Sequence, residues 1–285
     1  MREALQQVKI LNGRTQPVLF LCDDSHPYVV KFGRPGSTIR RLASEFLGTE
    51  ILRWAGLPTP ESTVVNVSDS LIESCTKSPT TTTALQYSSG FQFGSRLVGW
   101  NERATPFDYL PESHLSQIAN IEAFAGALVF DLWSANKGAR QAVFHRRSPQ
   151  ARYSVHFVGH SGCFSGEKWS LSEPTASPLY HPAVYRDITG WDSFDPFLSR
   201  MISMSPHALE SIANRVPPDW YEGGRLSLDQ LLEQLLEKRA RLREMISALR
   251  ANSRNLFPSW RPTVYMFQKS SRSIIPAVAQ NEPVI

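Results

Sequence analysis

The fold of this chain depends on two segments, FAGALVFDLWSANKGARQAVF at residues 124–144 and YSVHFVGHSGCF at residues 153–164. The first is a mostly apolar stretch typical of a buried helix, and it leads through Asp131 into a polar turn at Asn136. The second is rich in β-branched and aromatic residues, which favours a strand, and it ends in a turn that contains Gly159 and His160. Because two such turns can face one cleft, the sequence predicts a functional site between them.

Upstream of these segments, the sequence predicts a small antiparallel meander that is followed by a helix. Turn residues separate three apolar strands, which are predicted at residues 8–11, 18–22 and 28–32. The last strand carries Lys31 within an apolar run. A helix that carries Glu45 is predicted over residues 38–56, because apolar residues recur at helical spacing and Gly56 is a typical helix end.

The remaining elements follow from the same patterns of hydrophobicity. Residues 68–90 are rich in Ser and Thr and are predicted to form an exposed loop, and residues 91–99 are predicted to form a strand that crosses between lobes. One long buried helix is predicted from His114 through Trp133, followed by a β-hairpin at residues 141–144 and 153–158. A single helix with one apolar stripe is predicted over residues 226–252.

The composition is that of an ordinary globular protein, with 41% hydrophobic and 20% charged residues and a formal net charge of +4. The basic residues are scattered, so the dense basic stripe of a dedicated nucleic-acid binder is absent. The three cysteines lie far apart without CxxC or Cys/His spacing, which argues against a disulfide framework and a zinc site. No signal-peptide pattern and no apolar run of about 18 residues is found, so we expect a cytoplasmic protein without a membrane span.

Single features of the N-terminal part allow two interpretations each. Lys31 and Glu45 can form the ion pair that positions nucleotide phosphates in kinase-type folds, or they can be a strand-edge lysine and a solvated glutamate. The loops at residues 12–14 and 33–37 can offer backbone N–H groups to an anion, or they can be ordinary turns. The seven histidines show no HExxH motif, and the one pair spaced four residues apart, His156 and His160, lies in a predicted strand and turn, so no metal site follows from them.

Taken in order, these parts resemble the HipA-like kinase family over residues 5–250. The resemblance rests on the lysine strand, the glutamate helix with its AGLPTP turn, the FGSR crossing, the WxxN turn and the VxHxGCF turn. It implies an α+β, two-lobed, protein-kinase-like fold, with a small antiparallel β lobe, a larger mainly helical lobe, and ATP and Mg²⁺ bound between them. We expect the lobes at residues 1–97 and 98–255, followed by a loosely ordered tail at residues 256–285.

The resemblance also implies roles for individual residues of the cleft. Lys31 is similar to the lysine that anchors nucleotide phosphates, and Glu45 is similar to its partner on the helix. Asn136 matches the asparagine that opens the catalytic loop, and it is the candidate metal ligand. Arg140 and Gln141 match the end of that loop and frame it.

Two positions depart from the family pattern. The resemblance implies an aspartate that orients the substrate hydroxyl at position 138, and a metal-binding aspartate at position 159 beside His160 of the expected nucleotide site. Both positions are glycines here, Gly138 and Gly159. Glycine can neither accept a proton nor hold Mg²⁺, and a positioned general base contributes about 10²–10⁴ in rate. We therefore expect a pseudokinase in which binding of ATP and Mg²⁺ is weakened or lost.

Alternatives remain open for the function. Asp131 can substitute for a missing carboxylate, or it can brace the catalytic loop through Arg140, which is the favoured interpretation. The protein is then a pseudokinase, or an active ATP-dependent serine/threonine kinase that uses Asp131 or a carboxylate of residues 187–195, or an interaction module that needs no nucleotide. We expect a protein partner and a nucleotide ligand, with no membrane contact and no direct binding of nucleic acid.

Overall fold

The structure is a computed structural model, and it describes residues 1–12, 15–33, 39–76, 87–101, 104–171, 180–221, 224–253 and 255–261. It is an α+β fold in which a small β lobe precedes a larger helical lobe, as predicted. The β lobe contains β1 (Arg2–Ile10), β2 (Val18–Cys22), β3 (Pro27–Lys31), α1 (Ile39–Trp54), β4 (Ser62–Val67), α2 (Asp69–Thr76) and β5 (Gly90–Arg96). The helical lobe contains α3 (Glu112–Leu115), α4 (Ala123–Trp133), the hairpin β6 (Gln141–His145) and β7 (Ser154–Val158), α5 (Phe197–Ser203), α6 (Pro206–Ala213), α7 (Arg225–Lys238) and α8 (Leu242–Asn252).

The strands of the β lobe close into a small barrel in the order β1-β2-β3-β5-β4. Neighbouring strands are antiparallel, except that β1 pairs with β4 in parallel through Arg2 and Glu3. The predicted three-strand meander is therefore part of a larger closed sheet, because β5 pairs with both β3 and β4. Lys31 at the end of β3 lies opposite Phe93 of β5, the strand that leads into the crossing between the lobes.

Helix α1 contacts both the barrel and the helical lobe and is buried along most of its length. Its buried residues include the polar side chains of Ser44, Glu45 and Glu50, which need partners because desolvated polar groups are costly. Gly48 allows a close approach to the helix, since a Cβ at this position would lie 2.6 Å from the Cβ of His160. The helix therefore brings the predicted glutamate next to the second predicted turn.

Residues 68–90 differ from the predicted exposed loop, because they begin with α2. Ser68 Oγ accepts a hydrogen bond of 3.2 Å from the Leu71 N–H at the start of this helix. Leu71, Ile72 and Cys75 then pack against the core of the barrel. The prediction of a loop is therefore wrong for residues 69–76, and residues 77–86 lie outside the described part of the chain.

The long helix predicted from His114 is interrupted, since only Glu112–Leu115 and Ala123–Trp133 are helical. Between them, the Ala119 N–H donates a hydrogen bond of 2.7 Å to the backbone oxygen of Tyr153, and the Asn120 side chain bonds the backbone of Val155. These bonds to the second strand of the hairpin and to the residue before it replace the hydrogen bonds of a helix. The helix predicted over residues 226–252 is also divided, by a 3-10 turn at Arg239–Arg241.

The helical lobe extends past the boundary predicted at residue 255. Leu256, Phe257 and Trp260 are buried in the main hydrophobic core, where the last two rings pack against Phe194. Residues 262–285 of the predicted tail lie outside the described residues, as do residues 13–14 and 34–37 of the two predicted anion-binding loops. Across the described ranges, no helix is long and apolar enough to cross a membrane.

Candidate functional site

Lys31 and Glu45 form an ion pair at the junction of the barrel and α1. Lys31 Nζ donates to Glu45 Oε1 at 2.5 Å. The Glu45 side chain is 2% exposed, whereas that of Lys31 is 19% exposed, so the lysine lies on the more open side of the pair. The glutamate is therefore not solvated, and the two side chains form the ion pair that was one of the two interpretations of the sequence, whereas a role in positioning nucleotide phosphates stays a prediction.

Glu45 also holds the second turn of the predicted cleft. Its Oε2 accepts a hydrogen bond of 2.8 Å from the backbone N–H of His160, so both carboxylate oxygens have a donor. Hydrogen bonds to an ionised acceptor are roughly twice as strong as neutral ones. One glutamate therefore connects the barrel, α1 and the turn that follows β7.

The first turn is organised by Asp131 in the last part of α4. Asp131 accepts hydrogen bonds from Asn136 Nδ2 at 2.8 Å and from Arg140 Nε at 3.0 Å, and Arg140 Nη2 also contacts its Oδ1. The side chains of Asp131 and Arg140 are each 1% exposed. Burial lowers the pKa of Arg140, but the charge and hydrogen bonds of Asp131, with smaller contributions from Cys163 and Tyr185, together raise it above its ordinary value, so the guanidinium stays charged. The two residues form a buried ion pair that fixes both ends of the predicted catalytic loop.

His160 lies between the two ion pairs and is 1% exposed. Its Nδ1 is 3.1 Å from Arg140 Nη1; because a guanidinium can only donate, Nδ1 accepts and the ring proton is on Nε2. Burial, together with the charges of Arg140 and Lys31, lowers the pKa of His160 well below its ordinary value. The ring is therefore neutral at pH 7, and among the described residues its Nε2 has no hydrogen-bond partner.

Gly138 and Gly159 lie on the two turns that these bonds bring together. The Gly138 N–H donates to Asn136 Oδ1 at 2.9 Å, and a Cβ at position 138 would stay 3.3 Å or more from its neighbours. Gly159 has a φ of +73°, and a Cβ there would lie 2.7 Å from the Cδ of the exposed Gln141 side chain. Aspartate enters this left-handed region more readily than most residues. Position 138 thus has room for an aspartate, whereas an aspartate at position 159 requires the Gln141 side chain to move and leaves the left-handed backbone strained.

The two turns contact each other through their backbones. The Lys137 N–H donates to the backbone oxygen of Gly162 at 3.0 Å. A Cβ at position 162 would lie 2.6 Å from the backbone nitrogen of Gly138, so this approach requires glycine. Sequence reasoning gave Gly162 no role, although a glycine two residues after His160 is a signal for close backbone contact.

The segment after the second turn packs on the first half of α1. Arg41 Nε donates to Glu167 Oε1 at 2.7 Å, and Trp169 Nε1 donates to Ser44 Oγ at 3.2 Å. Trp169 has a φ of +47°, a conformation that costs on the order of 1 kcal/mol and that its surroundings must stabilise. These contacts, which sequence reasoning did not anticipate, hold α1 beside the turn that contains His160.

A pocket of about 270 Å³ lies apart from this cluster, at the crossing between the lobes. It is lined by Pro60 and Glu61, by residues 96–101, and by His145 and His156 of the hairpin. None of the predicted site residues lines it. The candidate site is therefore defined by its hydrogen-bond network, which brings together Lys31, Glu45, Asp131, Asn136, Arg140 and His160.

Comparisons with known proteins support the resemblance found in the sequence. Residues 4–143 match the family model described as HipA-like kinase, which confirms the resemblance to this family over that part of the chain. No curated protein matches the sequence.

Solved structures of kinases share the fold of this chain. The chain is similar to the Helicobacter pylori proinflammatory kinase CtkA, with a TM-score of 0.55 and 13% identity over 86% of this chain and 95% of that chain. It is also similar to the Golgi casein kinase, with a TM-score of 0.52 and 12% identity over 90% of this chain and 75% of that chain. A Golgi casein kinase structure with Mn and ADP bound gives a TM-score of 0.50 and 11% identity over 86% and 71% of the two chains. At these identities the likeness shows the two-lobed kinase fold alone.

Proposed function

We propose that this protein is a HipA-like kinase-fold protein without phosphoryl-transfer activity, a pseudokinase that keeps a nucleotide-binding cleft and acts through contacts with a partner protein. The observation that carries the proposal is the pair Gly138 and Gly159, which occupy the positions where the family resemblance implies two aspartates. Positioned acid–base groups and metal ions supply most of what a kinase adds to the reactivity of ATP. A chain with glycine at both positions lacks these groups.

The neighbouring carboxylates support the same conclusion. Both oxygens of Glu45 accept hydrogen bonds, from Lys31 and from the His160 backbone. Both oxygens of Asp131 accept hydrogen bonds from the buried loop around Arg140. A general base must reach the substrate hydroxyl, whereas these two carboxylates are 2% and 1% exposed and each is already paired with a cation.

Exposed aromatic side chains near the lobe crossing support the proposed protein contacts. Trp100 is 48% exposed, Phe107 is 42% exposed and Tyr109 is 69% exposed. Aromatic residues are enriched at protein–protein interfaces, where they contribute large contact areas at low entropic cost. We propose that a partner protein contacts this side of the crossing.

The direct test of the proposal is transfer of labelled phosphate from ATP. We expect the purified protein, incubated with Mg²⁺ or Mn²⁺, to label neither itself nor a generic acceptor protein above the level of the Lys31→Ala variant. Transfer that depends on a divalent cation and disappears in Lys31→Ala would overturn the proposal.

The second candidate is an active serine/threonine kinase with a displaced carboxylate. The ion pair between Lys31 and Glu45 favours it, because protein kinases need this pair in place for activity. Asp131 or a carboxylate of residues 187–195 would then serve as the base, although Asp195 already accepts two bonds from Ser199.

The two candidates are separated by comparing Asp131→Asn with a Gly138→Asp, Gly159→Asp double variant. The pseudokinase proposal predicts no turnover for the wild-type protein or for Asp131→Asn. If the wild-type protein turns over, Asp131→Asn abolishes this activity and the restored aspartates add nothing, the active kinase is the better description. The melting temperature of each variant must be measured, because Asp131 also stabilises the fold.

A further inference from the structure

The donor atoms of the cluster do not suit the divalent cation that the kinase fold implies. Mg²⁺ prefers oxygen ligands and is usually bound by one or two carboxylates together with substrate phosphates. Glu45 and Asp131 are buried, and each is neutralised by a cation at hydrogen-bond distance. Asn136, the predicted metal ligand, is fully buried, and its Oδ1 accepts from Gly138. Over the described ranges, no group of three or more His, Cys, Asp or Glu side chains could hold a metal ion.

Moving either carboxylate onto a metal would also break a buried ion pair. Asp131 could reach an ion only by leaving Arg140, whose guanidinium is as buried as the carboxylate. An uncompensated buried charge is strongly unfavourable. Glu45 would have to release both Lys31 and the His160 backbone N–H.

The groups of the cluster that remain available are hydrogen-bond donors. Lys31 Nζ carries three donors and uses one on Glu45. His160 Nε2 carries a proton, is buried, and has no partner among the described residues. Lys137, next to Gly138 on the first turn, has an exposed side chain. Ammonium and imidazole N–H groups can donate hydrogen bonds to the oxygens of a phosphate. The ammonium groups also stabilise the negative charge of the phosphate, without a metal ion.

We infer that the cleft binds the phosphates of a nucleoside triphosphate without a divalent cation. The inference rests on the proposed function, because it places the nucleotide at the same Lys31 site. It goes further by assigning the recognition of the phosphates, among the residues that the structure describes, to Lys31, His160 and Lys137. Phosphoryl transfer and metal dependence are separate properties, so the two proposals can fail independently.

The test measures binding of ATP to the full chain by isothermal titration calorimetry and by thermal shift, once in excess EDTA and once in Mg²⁺. We expect the dissociation constants in the two conditions to agree within about threefold, which corresponds to about 0.65 kcal/mol. A constant at least tenfold lower in Mg²⁺ would overturn the inference, as would binding in neither condition. The last result would favour an interaction module that needs no nucleotide.

Adenosine and inorganic tripolyphosphate test separately whether the protein recognises the nucleoside or the phosphates of ATP. Under EDTA, tripolyphosphate should compete with ATP, and adenosine should bind at least tenfold more weakly than ATP. Adenosine binding as tightly as ATP would show that the phosphates are not recognised, and would overturn the inference.

Matched lysine variants test the assignment of the donors. Lys31→Met and Lys137→Met should each weaken binding of ATP in EDTA by at least fivefold. Lys9→Met, which removes an exposed lysine from β1 of the same barrel, should change it by less than twofold. An equal effect of all three variants would indicate attraction by overall charge, and would overturn the assigned site. The melting temperature without ligand shows that each variant is folded.

If instead the protein transfers labelled phosphate in Mg²⁺, the proposed function fails. If it binds ATP only with Mg²⁺ and transfers no phosphate, the proposed function stands and only this inference fails.

Discussion

The buried ion pair between Asp131 and Arg140 decides whether Asp131 is a brace or a catalytic base, and it can be tested through stability. Asp131→Asn keeps the size of the side chain but removes its charge, which leaves the Arg140 guanidinium buried and uncompensated. Both side chains are 1% exposed, so solvent cannot replace the lost carboxylate. Breaking a buried pair by removing one partner costs about 3–5 kcal/mol. We therefore expect Asp131→Asn to lower the free energy of unfolding by about that amount.

The interaction itself is isolated by a double-mutant cycle. Asp131→Leu and Arg140→Met replace the pair by apolar groups of similar size, and replacing both partners of a buried pair is often close to neutral. Asn136 would still lose its acceptor, at a cost of about 1–3 kcal/mol. The double variant should therefore be more stable than either single variant, with a coupling energy of at least about 2 kcal/mol.

The assay is urea unfolding at pH 7 with linear extrapolation to water, checked for equal m-values. Asp229→Asn is the matched control, because Asp229 pairs with Arg225 at 2.6 Å but both side chains are about 40% exposed. Exposed pairs of this kind contribute about 0–1 kcal/mol. A loss below about 1 kcal/mol for Asp131→Asn, close to that of the control, would refute the bracing role. Asp131 would then return to the candidates for a catalytic base.

Three further predictions concern the contacts around the two turns. Gly162→Ala should lower the free energy of unfolding by about 1–3 kcal/mol through overpacking. Gly138→Ala should lower it by less than half of that amount, since the nearest atom to a Cβ at position 138 is 3.3 Å away. Equal losses for the two variants in urea unfolding would contradict the backbone contact. Burial and neighbouring cations depress the pKa of His160, so below pH 6.5 the unfolded state binds the proton and the folded state does not. The free energy of unfolding should then fall with decreasing pH by up to about 1.4 kcal/mol per pH unit from this group, and His160→Gln should reduce that slope between pH 6.5 and 5.5. Trp169→Phe removes the hydrogen bond to Ser44 and should cost about 1–2 kcal/mol; if the bond matters, adding Ser44→Ala should cost little more.

The sequence was most informative where function depends on neighbours along the chain. Asp131, Asn136 and Arg140 lie within ten residues of one another at the end of an apolar helix, and their hydrogen bonds join the residues that sequence reasoning had grouped. For Lys31 and Glu45 the local pattern left the ion pair as one of two interpretations, and the family resemblance implied it; the structure shows the pair. In each of these cases the connection between the elements is short.

The links between distant parts of the chain could not be predicted in the same way. The hydrogen bond from His160 to Glu45 joins residues 115 positions apart. The spacing of apolar residues along the chain predicts local structure and cannot predict a contact over such a separation. The parallel pairing of Arg2 and Glu3 with Val65 and Asn66 of β4, which closes the barrel, also joins distant parts of the sequence. His160 was therefore expected as a nucleotide-site residue beside the metal position, but not as the residue whose backbone and ring join the two ion pairs.

The overlong helix prediction shows how tertiary hydrogen bonds override a local pattern. Residues 115–133 are apolar enough for one helix, but Ala119 bonds the backbone of Tyr153, just before β7, and Asn120 bonds the backbone of Val155 in β7. Gly48, a glycine inside the predicted helix, could have indicated a close contact with that helix, but no contact was predicted from it. A glycine inside a helix costs about 1 kcal/mol relative to alanine, and here it allows the Cβ of His160 to approach α1.

The two glycines also explain why the cluster is stable as it stands. Lys31 and Arg140 balance Glu45 and Asp131, and His160 is neutral, so the formal charges of the network cancel. An aspartate at position 159 would add a negative charge one residue from the backbone N–H that binds Glu45. Two carboxylates close together repel, so one of them takes up a proton or a cation must lie between them. Glycine at position 159 removes that requirement. The intact ion pair of Lys31 therefore needs no catalytic explanation, because it holds the turn of His160 in place whether or not phosphate is ever transferred.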